Sequence, residues 1–123
     1  MQLQSFEEII SWQKARVFTA SIYKITASEY FIKDVDFKRQ IRRAAISISS
    51  NIAEGFERRT DKEFIHFLFI AKASAGEVRS QLYLAYDLRY ISQSEFADLY
   101  SDATEISKLI SGFIKYLENK NLK

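Results

Sequence analysis

The chain has 123 residues, of which 47% are hydrophobic, 15% aromatic and 28% charged, and its formal net charge is only +2. This composition excludes a disordered chain, and the length fits one domain covering 1–123. The absence of cysteine excludes disulfides, thiolate metal sites and cysteine nucleophiles, and it favours a reducing compartment, so we expect a cytoplasmic protein. The start MQLQSFEEII lacks a basic segment before an apolar one, and no run approaches about eighteen apolar residues, so we expect neither secretion nor membrane insertion.

Long helices are predicted because the chain has no proline and only three glycines. The first helix is expected over about 6–27, where Ser5 and Glu8 have the spacing of a capping box and apolar residues recur up to Ile25. The stretch 28–35 that follows could be a loop or a helical extension.

The second helix is expected over about 36–58, with Asp34 or Asp36 as its cap. Its apolar residues recur at three-four spacing, which is typical of a helix with one buried face. They are Phe37, Ile41, Ala44, Ala45, Ile48, Ile52 and Phe56.

Two further capping boxes open the last two helices, which we expect over about 61–90 and 93–119. The pairs are Thr60 with Glu63 and Ser92 with Glu95. Because connections this short force neighbouring helices to run antiparallel, the sequence predicts an all-α, up-down-up-down four-helix bundle.

Large apolar residues also lie away from the predicted core stripes of the first and third helices. Contiguous exposed apolar patches usually mark association surfaces, so we predict a homo-oligomer. The predicted interface residues are Trp12, Tyr23, Ile65, Phe69 and Tyr83. The alternative is that these are scattered surface aromatics, which are normal on any protein.

No arrangement of residues indicates catalysis. Glu63 and His66 form an E-x-x-H pair, but a two-metal bundle site needs a second such pair and the chain has one histidine. His66 lies in the middle of a predicted helix without an obvious oxyanion hole, and the glycines are too scattered for a phosphate-binding loop. We therefore expect no enzyme, no metal, no cofactor and no small-molecule substrate.

The most unusual passage is KRQIRRAAISISSNIAEGFERR, residues 38–59, which is basic at both ends. Arg39 and Arg43 are predicted to share the helix face opposite the apolar stripe, where they could attract a phosphate backbone. The candidate nucleic-acid-binding residues are Lys38, Arg39, Arg42, Arg43, Arg58, Arg59 and Lys62. The alternative is that these cations pair with Glu54, Glu57, Glu77 or carboxylates of a neighbouring subunit.

Polar and small residues also lie in the second and third predicted helices. Asn51 and Glu54 are adjacent to the core stripe, and we interpret them as packing and register residues rather than binding residues. Small side chains in both helices predict that these two helices approach closely. They include Ala44, Ala45, Ala53 and Gly55 in the second helix and Ala71, Ala75 and Gly76 in the third.

The run QIRRAAISISSNIAEG, residues 40–55, resembles the signature of the four-helix-bundle family named for open reading frames in the intervening sequences of bacterial 23S ribosomal RNA. Further similar segments extend over most of the chain. They are Trp12 and Tyr23 in the first helix, KEFIHFL at 62–68, Ala71 through Glu77, and LRYI at 88–91. Two departures are Ser49, where the family often has proline, and EYFIKDVDFK in place of a turn that contains proline and glycine.

The resemblance implies antiparallel four-helix protomers assembled as a ring, with a pentamer as the expected size. It also implies similarity to the accessory protein of diversity-generating retroelements, a basic barrel that binds nucleic acid and a reverse transcriptase. Arg42, Arg43, Asn51, Glu54 and Gly55 map onto the family motif, without assigned roles. The leading hypothesis is a non-enzymatic ring that binds structured RNA or other nucleic acid, and the alternative is a protein-interaction scaffold.

Overall fold

The computed structural model describes residues 3–120, so the first two and the last three residues of the predicted domain 1–123 lie outside the described part. Within this range the chain forms helices and no strand. A single 3-10 turn, Phe6–Glu8, precedes five α-helices. They are α1 (Ile10–Ile25), α2 (Glu29–Ile32), α3 (Val35–Phe56), α4 (Asp61–Asp87) and α5 (Gln93–Lys120).

Contacts between side chains fix the direction of the long helices. Position 19 contacts 45 and position 42 contacts 26 between α1 and α3, and 47 contacts 74 while 55 lies against 64 between α3 and α4. In the same way, 64 contacts 113 and 83 contacts 100 between α4 and α5. Rising numbers in one helix meet falling numbers in the next, and α5 closes the ring against α1 through Lys14 and Glu105. The predicted antiparallel bundle of four long helices is therefore confirmed.

The core is continuous through all four long helices, because each contributes a buried apolar stripe. The stripe predicted on α3 is buried from Phe37 to Ile52, and the stripe on α4 is buried from Phe64 to Ala85. Each fully buried Ile, Leu or Phe stabilises the fold by about 1.5–3 kcal/mol relative to an exposed one. Burial of these stripes is therefore the main source of stability.

The first long helix begins later than the sequence predicts. Ser5 makes no capping hydrogen bond, and the Glu8 carboxylate accepts instead from the backbone N–H of Gln4 at 3.1 Å. Ile9 adopts an extended conformation, with φ −77° and ψ 120°, and only 3% of it is exposed. Burial of the Ile9 side chain thus interrupts the helix that the capping box favoured, and the prediction of a start at residue 6 is wrong.

The stretch 28–35 is a short helix rather than a loop. Ser28 caps α2 by accepting from Phe31 N–H at 3.4 Å, and the Phe31 side chain is fully buried. Asp34, not Asp36, then caps α3, since its Oδ1 accepts from Phe37 N–H at 3.2 Å.

The third predicted helix ends at Asp87, three residues before the predicted position. Arg89 has φ 64°, in the left-handed region, and donates its N–H to the Tyr86 carbonyl. Tyr90 N–H donates to the Ala85 carbonyl at 2.9 Å, which completes a Schellman motif. The caps of α4 and α5 are as predicted, because Thr60 Oγ1 and Ser92 Oγ each accept from the N–H of the glutamate three residues later at 3.1 Å.

Candidate nucleic-acid interface

The seven candidate cations form two separate clusters at the two ends of α3. Lys38, Arg39, Arg42 and Arg43 form the amino-terminal basic cluster, and Arg58, Arg59 and Lys62 form the carboxy-terminal basic cluster. At 1.5 Å per residue, Arg43 and Arg58 are about 22 Å apart along the helix axis. The structure therefore brings the cations of each cluster together, but it does not join the two clusters into one patch.

Arg39 and Arg43 lie one turn apart on the outer face of α3. Both are exposed, and neither makes a hydrogen bond or an ion pair with any residue between 3 and 120. Lys38 is half-buried and also has no ion-pair partner in that range. These cations are free to meet a ligand or another subunit.

Arg42 is different, because its guanidinium is held by the carboxyl end of α1. Its Nε donates to Thr26 Oγ1 at 2.7 Å, and its Nη2 donates to the Tyr23 carbonyl at 3.2 Å. The guanidinium carbon also lies 4.3 Å from the ring centroid of Tyr23. Arg42 thus satisfies a carbonyl that the end of α1 leaves without a helical partner.

In the carboxy-terminal basic cluster, Arg58 likewise has partners within its own chain. Its Nη2 lies 2.8 Å from Glu54 Oε2, and its guanidinium covers the Phe67 ring at 4.6 Å. Arg59 and Lys62 are exposed and have no ion pair with any described residue. Each cluster therefore contains one arginine engaged in the fold and at least two free cations.

Pairing with internal carboxylates accounts for only one of the candidate arginines. Glu54 binds Arg58, whereas Glu57 and Glu77 pair with no cation in the described part of the chain. The Glu77 carboxylate instead accepts from Gln81 Nε2 at 3.4 Å. Most of the positive charge on α3 is therefore not neutralised within the protomer.

The predicted interface residues occupy several different environments. Trp12 and Ile65 are half-buried against the core of their own chain, and the Trp12 ring meets Phe6 edge-on at 5.0 Å. Tyr23 lies under Arg42 and remains 40% exposed. Phe69 is 48% exposed on the outer face of α4 and has no ring partner among the described residues.

Tyr83 belongs to an aromatic cluster between α4 and α5 that the sequence reasoning missed. Its ring lies 4.9 Å from Phe96 and 5.4 Å from Tyr100, and Tyr86 contacts Phe96 from the other side. A hydrogen bond with Tyr100, followed by the charge of Tyr100 and by burial, raises the pKa of the Tyr83 phenol. The spacing of these aromatics in both helices was the available signal.

Polar groups and a glycine determine the fit of α3 against α4. Asn51 Nδ2 donates to the Ser47 carbonyl and to Ser47 Oγ, both at 2.8 Å, and Ser74 Oγ donates to Ser47 Oγ at 2.9 Å. At Gly55, an added Cβ would lie 2.7 Å from Phe67 Cβ. The close approach of these two helices, predicted from their small residues, is present in the structure.

An acidic stripe that the sequence reasoning also missed lies on α5. Asp98, Asp102 and Glu105 recur at helical spacing and are all exposed. Burial, followed by repulsion from Glu105 and Asp98, raises the pKa of Asp102, while Lys14 opposes this shift. Since α5 packs against α1 and α4, it lies across the bundle from α3, and the two helices present opposite charges on opposite sides.

Metal-binding and membrane-spanning features are absent from the described part of the chain. Residues 3–120 contain no group of three histidine, aspartate or glutamate side chains placed to hold a metal ion. His66 is exposed and its ring meets Phe67 at 5.8 Å. None of the helices in the same range combines the length and apolar character needed to cross a membrane.

These features define a four-helix-bundle protein whose motif-bearing helix is basic at both ends. The family model described as 23S rRNA-intervening sequence protein matches residues 7–112, and the chain belongs to this family. A solved structure is also similar, that of a protein with unknown function from the S23 ribosomal protein family of Bacteroides thetaiotaomicron VPI-5482. The two chains are 31% identical with a TM-score of 0.80, and the match covers 86% of this chain and 99% of that one. No curated protein matches this chain.

Proposed function

We propose that this protein is a non-enzymatic, ring-forming bundle of the cytoplasm that binds structured RNA or other nucleic acid through the basic clusters of α3. The observation that carries the proposal is the pair Arg39 and Arg43, exposed one turn apart without a carboxylate partner among residues 3–120. Free guanidinium groups bind phosphate backbones by releasing condensed counterions, without reading base sequence. The name of the family associates it with 23S rRNA intervening sequences, which supports RNA as the class of ligand.

A ring would change what each basic cluster can do. One protomer offers two or three free cations at each end of α3, which is a small footprint for a phosphate backbone. Repeated around a closed ring, expected to be a pentamer, the two clusters would form two parallel bands about 22 Å apart. Such bands would bind an extended or folded nucleic acid by adding many weak phosphate contacts.

The test replaces Arg39 and Arg43 together by glutamate and measures binding to a structured RNA as a function of salt concentration. We expect the wild type to bind with an affinity that falls steeply with salt, and the double variant to lose binding. The matched control is Lys108→Glu with Lys115→Glu, because both lysines are exposed on α5 and the change in net charge is the same. This control variant should keep binding, and both variants should sediment as the wild-type oligomer.

Two outcomes would contradict the proposal. One is a wild-type protein that does not bind RNA even at low salt. The other is an affinity that survives the change at Arg39 and Arg43, or that falls equally in the α5 control, since loss of net charge would then explain the effect.

The second candidate is a protein-interaction scaffold, and the opposite charges of α3 and α5 favour it. Copies arranged head to tail would bring Arg39 and Arg43 of one protomer near the acidic stripe of the next. In this case Arg39→Glu with Arg43→Glu should break the assembly, and adding Asp98→Arg with Asp102→Arg should restore it. Sedimentation of the two variants therefore separates a nucleic-acid interface from a subunit interface.

A further inference from the structure

A cleft opens between the start of α1 and the carboxy-terminal half of α5, away from the basic clusters and the acidic stripe. Its volume is about 230 Å³, and Leu3, Ile10, Leu109, Phe113 and Tyr116 give it mainly apolar walls. An engineered apolar cavity of about 150 Å³ is enough to hold benzene. This cleft therefore has room for one substituted ring.

One buried hydroxyl in this cleft has no partner. Ser11 is among the lining residues and only 3% exposed, and its Oγ makes no hydrogen bond within residues 3–120. A helical serine usually donates to the carbonyl four residues earlier. Here that carbonyl belongs to Glu7, which lies in the 3-10 turn and accepts from Gln13 Nε2 at 2.7 Å. The Ser11 hydroxyl is thus left without this partner by the interrupted start of α1.

The backbone at the same place has unused donors. The N-cap of α1 is Ile9, which supplies no side-chain hydrogen bond, so the N–H groups of the first turn lack an intrahelical acceptor. Ile9, Ile10 and Ser11 all line the cleft. A ligand oxygen near Ser11 would therefore meet a hydroxyl and the positive end of a helix dipole together.

The rim limits the charge of a ligand. Glu8 also lines the cleft, and its carboxylate is held there by the N–H of Gln4 at 3.1 Å. A carboxylate ligand would be repelled by this group, whereas an uncharged hydroxyl or carbonyl would not be.

From these features we propose that the cleft binds a small, uncharged, ring-sized apolar molecule with one hydroxyl or carbonyl group, which hydrogen-bonds to Ser11. The apolar walls bury the ring, and the hydrogen bond satisfies a polar group that is otherwise buried and unpaired. Such a molecule would be a ligand rather than a substrate, and its binding is independent of the proposed nucleic-acid interface.

The test compares p-cresol with toluene, which has the same ring and methyl group but no hydroxyl. Binding is followed by backbone amide NMR shifts of the full chain at Ile10, Ser11 and Leu109. We expect p-cresol to bind the wild type about tenfold more tightly than toluene, because only p-cresol pairs with Ser11. In Ser11→Ala the difference should disappear while toluene binding is retained.

Thr104→Ala is the matched control. Thr104 Oγ1 is another buried, unpaired hydroxyl oxygen, but Thr104 does not line the cleft. This variant should keep the tenfold preference for p-cresol. A second comparison uses p-toluate, which should bind more weakly to the wild type than to Glu8→Gln, since glutamine keeps an acceptor for Gln4 without the charge.

Three results would overturn the proposal. The first is the absence of saturable shifts at the cleft residues up to the solubility limit of p-cresol. The second is an unchanged preference for p-cresol in Ser11→Ala. The third concerns Ile10→Trp, which should fill the cleft and block both molecules without altering sedimentation. If this change instead disrupts the oligomer while the wild type binds neither molecule, the cleft is occupied by a neighbouring subunit.

Discussion

The two ends of α3 carry the same kind of residues but use them differently. At the amino-terminal end, Arg42 is half-buried and holds the end of α1 with two hydrogen bonds and a ring contact. At the carboxy-terminal end, Arg58 is exposed and makes one ion pair with Glu54, four residues earlier in the same helix. Arg42 therefore joins two helices, whereas the Arg58 ion pair joins neighbouring turns of one helix.

This difference shows why counting charges overestimates a binding surface. A guanidinium that satisfies backbone carbonyls of its own chain has few donors left for phosphate, because removing it would leave those carbonyls unpaired. The cations that remain are the exposed ones around Arg42 and Arg58. Substitutions at the two ends of α3 test this difference, and their expected effects on stability decrease from Gly55 to Arg58.

The largest effect is expected at Gly55, in the last turn of α3. In Gly55→Ala the new Cβ would lie 2.7 Å from Phe67 Cβ and 2.9 Å from Phe64 Cδ1, so α3 and α4 must move apart. We expect the free energy of unfolding to fall by about 2–3 kcal/mol, as for other overpacked sites. Urea unfolding measures this change.

Gly112→Ala is the control for that prediction. Gly112 is exposed in α5, and a Cβ there would meet nothing within 4 Å. Because alanine favours a helix, this variant should be more stable by up to about 1 kcal/mol. Equal stability of the two variants would show that α3 and α4 do not approach closely at Gly55.

At the amino-terminal end, Arg42→Met should remove the hydrogen bonds to Thr26 Oγ1 and the Tyr23 carbonyl. Hydrogen bonds to a charged group contribute about 1.5–3 kcal/mol, so we expect a loss of about 2 kcal/mol in urea unfolding. Arg43→Met, one residue further along on the exposed face, should change stability little. A similar loss in both variants would mean that charge, rather than the contact with α1, is responsible.

Tyr90 connects the same end of α3 to the loop before α5, since its hydroxyl donates to Asp34 Oδ2 at 2.9 Å. This hydrogen bond, followed by burial and by the charge of Asp34, raises the pKa of Tyr90 above its ordinary value of 10.0. The bond therefore stabilises the fold fully below pH 10.0, and this contribution is lost as the pH rises through the folded-state pKa.

We expect Tyr90→Phe to lower the midpoint of urea unfolding at neutral pH by less than Arg42→Met does. It should also reduce the loss of stability on the alkaline side, where the wild type loses this hydrogen bond. Tyr30→Phe serves as the control, because Tyr30 is 66% exposed and makes no hydrogen bond with any described residue. An alkaline profile that is the same for Tyr90→Phe and the wild type would contradict the prediction.

A gain in stability is expected at Arg89, which follows α4 at this same end. Its φ of 64° strains a residue with a side chain, and glycine removes that strain. Because glycine also gives the unfolded chain more freedom, we expect Arg89→Gly to raise the thermal midpoint by only about 0.5–1 kcal/mol in stability. Arg89→Ala, which keeps a Cβ, should bring no such gain.

The smallest effect is expected at the carboxy-terminal end for Arg58→Met. Its ion pair with Glu54 is exposed on both sides, and such pairs contribute about 0.5 kcal/mol or less. Methionine can still pack against Phe67, and salt should screen the remaining difference from the wild type. A loss as large as that of Arg42→Met would remove the contrast between the two ends of α3.

Periodicity and capping residues predicted most of the fold. The buried stripes of α3, α4 and α5 and the caps at Thr60 and Ser92 are local patterns, so the sequence contains them directly. The start of α1 could not be predicted in this way, because the burial of Ile9 in the distant core outweighed a local cap. The end of α4 was also missed, since an arginine rather than a glycine occupies the left-handed position.

The candidate site was less accessible to sequence reasoning. The positions of the cations on α3 followed from the helical period, but their partners did not. Arg42 meets Tyr23, which is 19 residues away, and no local pattern reveals such a contact. By contrast, Asp98, Asp102 and Glu105 were missed although their spacing is visible, because carboxylates at helical spacing are also typical of an ordinary solvated face. The nucleic-acid interface and the oligomer interface stay predictions.

Asp34 contacts partners that are near and far in the chain, and this difference bears on the order of folding. One carboxylate oxygen binds Phe37 N–H, three residues away, whereas the other binds the hydroxyl of Tyr90, 56 residues away. The near contact can form as soon as α3 nucleates, but the far one must wait until the α3–α4 hairpin has closed, because that loop is entropically costly. Tyrosine absorbance at this position would therefore report the late docking step separately from early helix formation.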